Sequence, residues 1–413
     1  MNITLTPARI DLKQQIVEDI PGKVREEFRT IAPNIRPGMK IAVTAGSRGI
    51  NNIALIIKTA VDCLKEAGAE PFIIPAMGSH GGATAEGQRA VLAGYGVTEE
   101  AMGVPVKSSM EVVKIGETED PKISVFMDKN AWEADGVLDV NRVKCHTDFH
   151  GVHESGIVKM LCIGLGKHAQ ALAVHKYGAD GLRDYVPVVA KKVIGSGKIV
   201  GAIAILEDGF DHTADIKCAL PADIFRVDEE FNRRSHELIA KLPFDQIDVL
   251  IVDRMGKEVS GTGLDTNVIG RIRIPGQEDG LPFIRKIVVL NLSEASHGNA
   301  LGIGLADVTT RSLADSIDWK ATYENVITSG FLQRGFLPIV AENDKEAVDI
   351  AVRTSGQPDL SGLRVARIES TLKLGKAYLS APLLKELTEK GRGVPLGEAE
   401  ELSFDGSGRI AAF

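Results

Sequence analysis

The feature that most constrains this chain is a repeated local pattern: a short apolar run, a glycine-rich turn, then apolar residues at helical spacing. Lys40-Ile41-Ala42-Val43-Thr44 reads as a strand and Ala45-Gly46-Ser47-Arg48-Gly49 as a turn. Ile53, Ile56, Ile57, Ala60, Val61 and Leu64 then mark one face of a helix over roughly residues 51–67, with Gly68 at its stop. A second unit follows at once. Pro71–Pro75 is strand-like, Ala76–Gly82 is a glycine-rich turn, and Thr84 with Glu86 suits the cap and first turn of the next helix. Strand–turn–helix units in series predict an α/β fold, in which a parallel sheet carries helices on its faces. The 43 glycines agree with many such turns.

The pattern continues at Val137–Val140 and Ile199–Leu206. A helix around Asp228–Leu242 ends at Pro243. Beyond it, Ile247–Asp253 and Ile287–Leu292 open fresh strand-and-loop units, and helical segments near residues 306–315 and 344–353 alternate with a strand at Phe336–Val340. We therefore expect two α/β domains with the active site in the cleft between them. Residues 1–243 would carry the chemistry and residues 244–413 would close over it. No short tandem repeat, low-complexity stretch or heptad run interrupts this pattern.

Composition removes several classes. Hydrophobic residues make up 44% and charged residues 25%, the balance of a globular chain rather than a disordered or coiled-coil one. Against 56 acidic residues stand 48 basic ones, a net charge of -8, which argues against a nucleic-acid binder. No apolar run reaches the roughly 18–20 residues of a membrane span, and MNITLTPARIDL lacks the charged-then-apolar pattern of a secretion signal. Cys63, Cys145, Cys162 and Cys218 are far apart, without a CxxC pair, so neither a disulfide framework nor a thiolate zinc site is expected. The expectation is a cytoplasmic enzyme acting on a small molecule, with no nucleic-acid or membrane partner.

Three segments could carry chemistry. Three of the nine histidines fall in Cys145-His146-Thr147-Asp148-Phe149-His150-Gly151-Val152-His153-Glu154; His168 and His175 follow, and His80 sits in the second glycine-rich turn. Imidazole suits both proton transfer near neutral pH and binding of borderline metals, although a solvated polar loop would have the same composition. Gly46–Gly49 and Gly78–Gly82 can bring backbone N–H groups and a helix start towards an anion, and Arg48 could fork onto a carboxylate. Neither turn matches a dinucleotide fingerprint or a Walker loop. Finally, Lys159 lies in Ile157-Val158-Lys159-Met160-Leu161. A lysine among apolar residues is either a nucleophile of lowered pKa or a snorkelling side chain.

The run from Arg142 to His175 resembles the cofactor-binding segment of the nickel-dependent lactate racemase family, in its broad branch of 2-hydroxy-acid relatives. The resemblance rests on His146-Thr147-Asp148-Phe149-His150-Gly151, Glu154-Ser155-Gly156 and Lys159-Met160-Leu161. Thr44–Arg48, Met77–His80, Val112–Gly116 and Ser296–Ala300 resemble further family segments in the same order. The resemblance implies a nickel-pincer nucleotide, a pyridinium mononucleotide with thioamide and thiocarboxylate arms. Lys159 would tether it, Ser47, Ser155 and Gly156 would line its site, and His175 would be the protein ligand of the nickel. It also implies racemisation or epimerisation of a 2-hydroxy acid by hydride transfer. His80 and His146 would be the acid–base pair, Arg48 the carboxylate contact and Lys257 a second basic contact. Cofactor-making enzymes would be partners for loading, and a homo-oligomer is compatible. Ala45 stands where the lactate enzymes carry an acidic residue, which speaks against lactate itself. Extra residues between His146 and Lys159 leave His150 and His153 as alternatives for the second acid–base role. Two rival functions remain: a zinc-type hydrolase built on the His/Glu cluster of residues 146–154, and a non-catalytic two-domain small-molecule binder. A cysteine enzyme on Cys145–His146 is a weaker third, because adjacent side chains of a strand point apart.

Overall fold

The fold was read from a computed structural model, which describes residues 3–47 and 49–413. It divides into two units, Gln14–Ile239 on one side and the chain up to Lys13 together with Ala240–Phe413 on the other. The expectation that residues 1–243 group together thus meets a different N-terminal arrangement. The first strand, β1 (Thr4–Ile10), belongs with the C-terminal strands, pairing antiparallel with Lys376–Leu379.

In the Gln14–Ile239 unit the apolar runs form β2 (Lys40–Ala45) and β3 (Glu70–Pro75). A small antiparallel ribbon follows, β4 (Val112–Glu117) with β5 (Ser124–Asp128). Then come β6 (Gly136–Arg142), β7 (Ile199–Glu207) and β8 (Thr213–Ala219). The main sheet has the order β3-β2-β6-β7-β8. Its first four strands are parallel, and β8 returns antiparallel on β7. Side-chain alternation decides which layer each residue joins. Ile41, Val43, Ile73, Ile203 and Ile205 pack with Ile56, Ile57, Val61 and Leu64 of the helix Ile53–Glu66. Ala42, Phe72, Ile74, Ala202, Ala204 and Leu206 face the helices Val186–Ile194 and Ile224–Leu238 on the other side. Both faces are covered, as a parallel sheet requires. Thr84 caps the helix Ala85–Gly94 by accepting the Gly87 N–H at 3.0 Å, and Gly68 takes φ +83° after the helix Ile53–Glu66.

The second unit holds a nine-stranded mixed sheet. Its strands are β9 (Gln246–Met255), β10 (Phe283–Leu292), β11 (Val308–Thr310), β12 (Ile339–Ala341), β13 (Val365–Ile368), β14 (Lys376–Leu379), β15 (Gly393–Pro395) and β16 (Glu400–Glu401), completed by β1. The middle run β12-β11-β10-β9-β13 is parallel. The mixed α/β class is therefore present in both units. One element differs from expectation: residues 308–310 are a strand, not part of a helix over 306–315. Val308 and Thr309 are β-branched and pair with Val288 and Val289. Thr310 then caps the short helix Arg311–Asp315 by accepting the Leu313 N–H at 3.1 Å. Among the described residues no single helix is long and apolar enough to cross a membrane.

Candidate active site

Three loops leave the carboxyl ends of parallel strands β2, β3 and β6, the edge where open α/β sheets place ligand sites. A bent helical segment binds them together. It begins as Ile157–Lys159, widens into a π turn over Met160–Gly164, and meets the helix Lys167–His175 at 104°. Small residues permit the approach. A Cβ on Gly164 would stand 2.2 Å from the Met160 sulfur and 2.9 Å from the Ala76 carbonyl, and one on Gly46 would lie 3.1 Å from the Met160 methyl. The segment thus packs directly against the ends of β2 and β3.

His146 is held from several sides. Its backbone N–H donates to Glu154 Oε2 at 2.6 Å, and its ring stacks on buried Phe149 with centroids 4.5 Å apart. The Asp148 N–H donates to Nδ1 at 3.1 Å, and Lys159 Nζ lies 2.6 Å from Nε2. His175 belongs to the same neighbourhood: burial, then the Lys159 ammonium, push its pKa down to about 4 against the opposing pull of Asp148. Its ring is therefore neutral at pH 7, with no hydrogen bond to any described residue. His80, at the end of the β3 loop, is exposed, and its Nδ1 bonds to Ser47 Oγ. The Ser47 carbonyl is fixed in turn by the Tyr95 hydroxyl at 2.7 Å.

The remaining sequence-derived candidates fall as follows. Ser155 forms a backbone bridge with Lys144, donating to it at 3.2 Å and accepting at 2.7 Å. Gly156 opens the Lys159 helix, with its carbonyl taking the Asn141 amide at 3.0 Å. Lys257 sits in the other unit, after β9, where its ammonium donates to the Gly261 carbonyl at 2.8 Å. Arg48 lies outside the described residues. His150 and His153 are each paired with a carboxylate. His153 Nδ1 pairs with Asp228 at 2.9 Å, and His150 Nδ1 lies 3.4 Å from Glu154. Residues 146–156 are a loop, so His146 and His150 share no helix face. Cys145 turns to Ser235 Oγ at 3.3 Å, away from the His146–Lys159 pair, which disposes of an adjacent Cys–His dyad.

Several buried supports were not visible in the local sequence. Asp228 accepts the Val158 N–H at 3.1 Å at the start of the Lys159 helix. A Cβ on Gly156 would come within 2.1 Å of that carboxylate. Glu154 accepts from the backbone of His146 and Gly151 and from His236 Nε2 at 2.8 Å. Burial alone would raise its carboxyl. The hydrogen bonds from His150, His236 and the His146 N–H overcome that and hold it at about 2. Contacts with Cys145 and then Glu154 raise His236 to about 10. The usable signal was polar residues at buried spacing: Asp228, Asn232 and Ser235 share the inward face of the helix Ile224–Leu238 with Ile224, Val227 and Phe231.

No protein-family model and no curated protein matches the chain. Among solved structures it is similar to the lactate racemase apoprotein from Thermoanaerobacterium thermosaccharolyticum, at 13% identity and a TM-score of 0.49, with 88% of this chain and 100% of that chain covered.

Proposed function

We propose that the Gln14–Ile239 unit holds a nickel-pincer nucleotide and racemises or epimerises a 2-hydroxy acid. The observation that carries the reading is the convergence at one strand-end edge of Lys159 Nζ, His146 Nε2 at 2.6 Å and the neutral His175 imidazole. The donor chemistry fits the group. A neutral imidazole is the form that binds nickel, and the primary amine of Lys159 beside it would hold the nucleotide. The glycines at positions 46, 156 and 164 let the segment that carries Lys159 pack against the strand ends and Asp228. His175 would hold the metal, Lys159 the nucleotide, and Ser47, Ser155 and Gly156 the rim.

The chemistry supplied by the bound group is hydride acceptance and return at a pyridinium ring. Proton handling falls to the chain. A 2-hydroxy acid gives up hydride only as its hydroxyl proton leaves, so a base must stand within hydrogen-bond reach. Two enantiomers present that hydroxyl in different directions, which calls for two bases, His80 and His146. Ser47 fixes the His80 ring; Phe149 and the Asp148 N–H fix that of His146. Arg48 would take the substrate carboxylate by a two-point contact. The test is protein co-produced with the cofactor-making enzymes. About one nickel per chain is expected, lost in His175→Ala, and turnover in deuterium oxide should retain protium at the 2-carbon. Full nickel in His175→Ala, or complete deuteration at the 2-carbon, would overturn the reading.

A further inference from the structure

A second group of metal-type donors lies apart from the Lys159 amine. Cys145 Sγ, a Glu154 oxygen and a His236 ring nitrogen all lie within 4.8 Å of one another. His150 stands beside the group rather than within it: its Nδ1 is 3.4 Å from Glu154 and its ring meets that of His236 edge to face at 5.4 Å, so a turn of its exposed side chain would bring it to a fourth position. Cys145 and Glu154 are buried.

We propose that Cys145, His150, Glu154 and His236 form a closed structural site for a zinc-type divalent cation. Zinc takes one sulfur, two imidazoles and a carboxylate in a tetrahedron with bonds of roughly 2.0–2.3 Å. Such bonds set ligand atoms roughly 3.3–3.8 Å apart. The His150–Glu154 contact of 3.4 Å has that length, while the Glu154–His236 hydrogen bond of 2.8 Å would open by roughly 0.5 Å as the metal takes the place of its proton. Calcium and magnesium prefer all-oxygen sets, so the thiol and imidazoles select a softer ion. The outer shell is built as well. The Glu154 carboxylate is oriented by the N–H groups of His146 and Gly151. The Ser235 hydroxyl, now donating to the Asn232 carbonyl at 2.8 Å, can turn towards a thiolate. On binding, Cys145 forms the metal–sulfur bond and releases its thiol proton to solvent, and His236 gives up to solvent the proton it holds against Glu154, freeing a ring lone pair for the metal.

Four protein ligands leave no open position, so the role is structural. The ion would fasten the loop that carries His146 to the helix Ile224–Leu238. This site shares no ligand with the nickel reading, and either can fail without the other.

The experiment uses the full chain made without cofactor-making enzymes, stripped with a chelator and titrated with cobalt(II) alone, then with zinc. The expected result is one tight equivalent of cobalt with a thiolate-to-cobalt charge-transfer band, displaced by zinc, and a higher melting temperature with either ion. Cys145→Ser should lose the band. His150→Gln, at an exposed position, should weaken binding by at least the about 10- to 100-fold that loss of an outer-shell partner costs. Lys159→Ala and His175→Ala should bind as the parent does. The proposal is overturned if the parent shows no band at stoichiometric cobalt, if the band survives in Cys145→Ser, or if His150→Gln binds as tightly as the parent.

Discussion

Removing the ammonium of Lys167 should destabilise the Gln14–Ile239 unit by about 3–5 kcal/mol, the usual result of leaving one partner of a buried ion pair uncompensated. Lys167 is wholly buried, at φ +57°, a left-handed conformation that an L side chain adopts only under constraint from its surroundings. Its Nζ sits 3.1 Å from Asp128 Oδ2 and 3.1 Å from Gln88 Oε1, and also donates to the Pro75 carbonyl. Burial pushes the Asp128 carboxyl up and the Lys167 ammonium down, and each is the main opposing charge of the other. Lys167→Met keeps most of the volume and strands Asp128, which still accepts the Ala131 N–H at 3.0 Å. Breaking an exposed pair such as Lys114–Glu117, with both side chains 48% exposed, should by contrast leave the urea midpoint nearly unchanged. The consequence reaches the site, because the Gln88 amide donates to the carbonyls of Gly78 at 3.0 Å and His80 at 3.2 Å. The assay is urea unfolding followed by Trp132 fluorescence in a Trp319→Phe background, since the two tryptophans lie in different units. Amide exchange over residues 77–82, expected to quicken, is the second readout. Asp128→Asn retains the cap and removes the stranded charge. The double variant should therefore recover part of the loss, with a coupling energy of about 0.5–3 kcal/mol. An unchanged urea midpoint for Lys167→Met, or strict additivity in the cycle, would falsify the idea that this ion pair braces the loop.

Asp139 is fully buried, and among the described residues Thr44 Oγ1 donates to it at 3.0 Å. Burial, reinforced by the Asp228 charge, pushes its carboxyl well above the usual range against the Thr44 hydrogen bond. A carboxyl raised in the folded state contributes fully below its unfolded value of about 3.9 and loses that contribution as pH rises towards the folded value. The stability of Asp139→Asn relative to the parent should thus climb between pH 5 and pH 8, by up to about 1.4 kcal/mol per pH unit while Asp139 stays protonated. A flat difference in urea midpoints would count against the assignment. Gly156→Ala should displace the Asp228 carboxylate, which a Cβ would meet at 2.1 Å, and cost about 1–3 kcal/mol. Chemical denaturation tests it, and a neutral result would mean the Lys159 helix can shift freely. Ser47→Ala should lower turnover through loss of His80 orientation and, because Ser47 also stands on the cofactor rim, lower metal content, with the urea midpoint as in the parent. Metal content equal to the parent's would remove Ser47 from the rim.

The sequence by itself determined the local pieces. Apolar runs with β-branched residues became β2, β3, β7, β9 and β10, and the 3.6-residue spacing from Ile53 to Leu64 became the helix that covers one sheet face. It did not by itself bring His146 and Lys159 together, since the loop over residues 146–156 lies between them and is drawn in by the Lys144–Ser155 bridge and the bonds to Glu154. Strand order and long-range closure were decided only by the tertiary structure. β1 completes the far sheet by pairing with a strand more than 360 residues later. Ser47 meets His80 because β2 and β3 are neighbours whose ends coincide in register, Ala45 opposite Pro75. Asp228 and His236 reach the 146–158 segment because the helix Ile224–Leu238 returns across the sheet face that the Lys159 helix also covers. Periodicity fixes which side of an element is buried. Which partners meet across that buried side depends on the order in which strands and helices are laid together, and no local stretch of residues encodes that order.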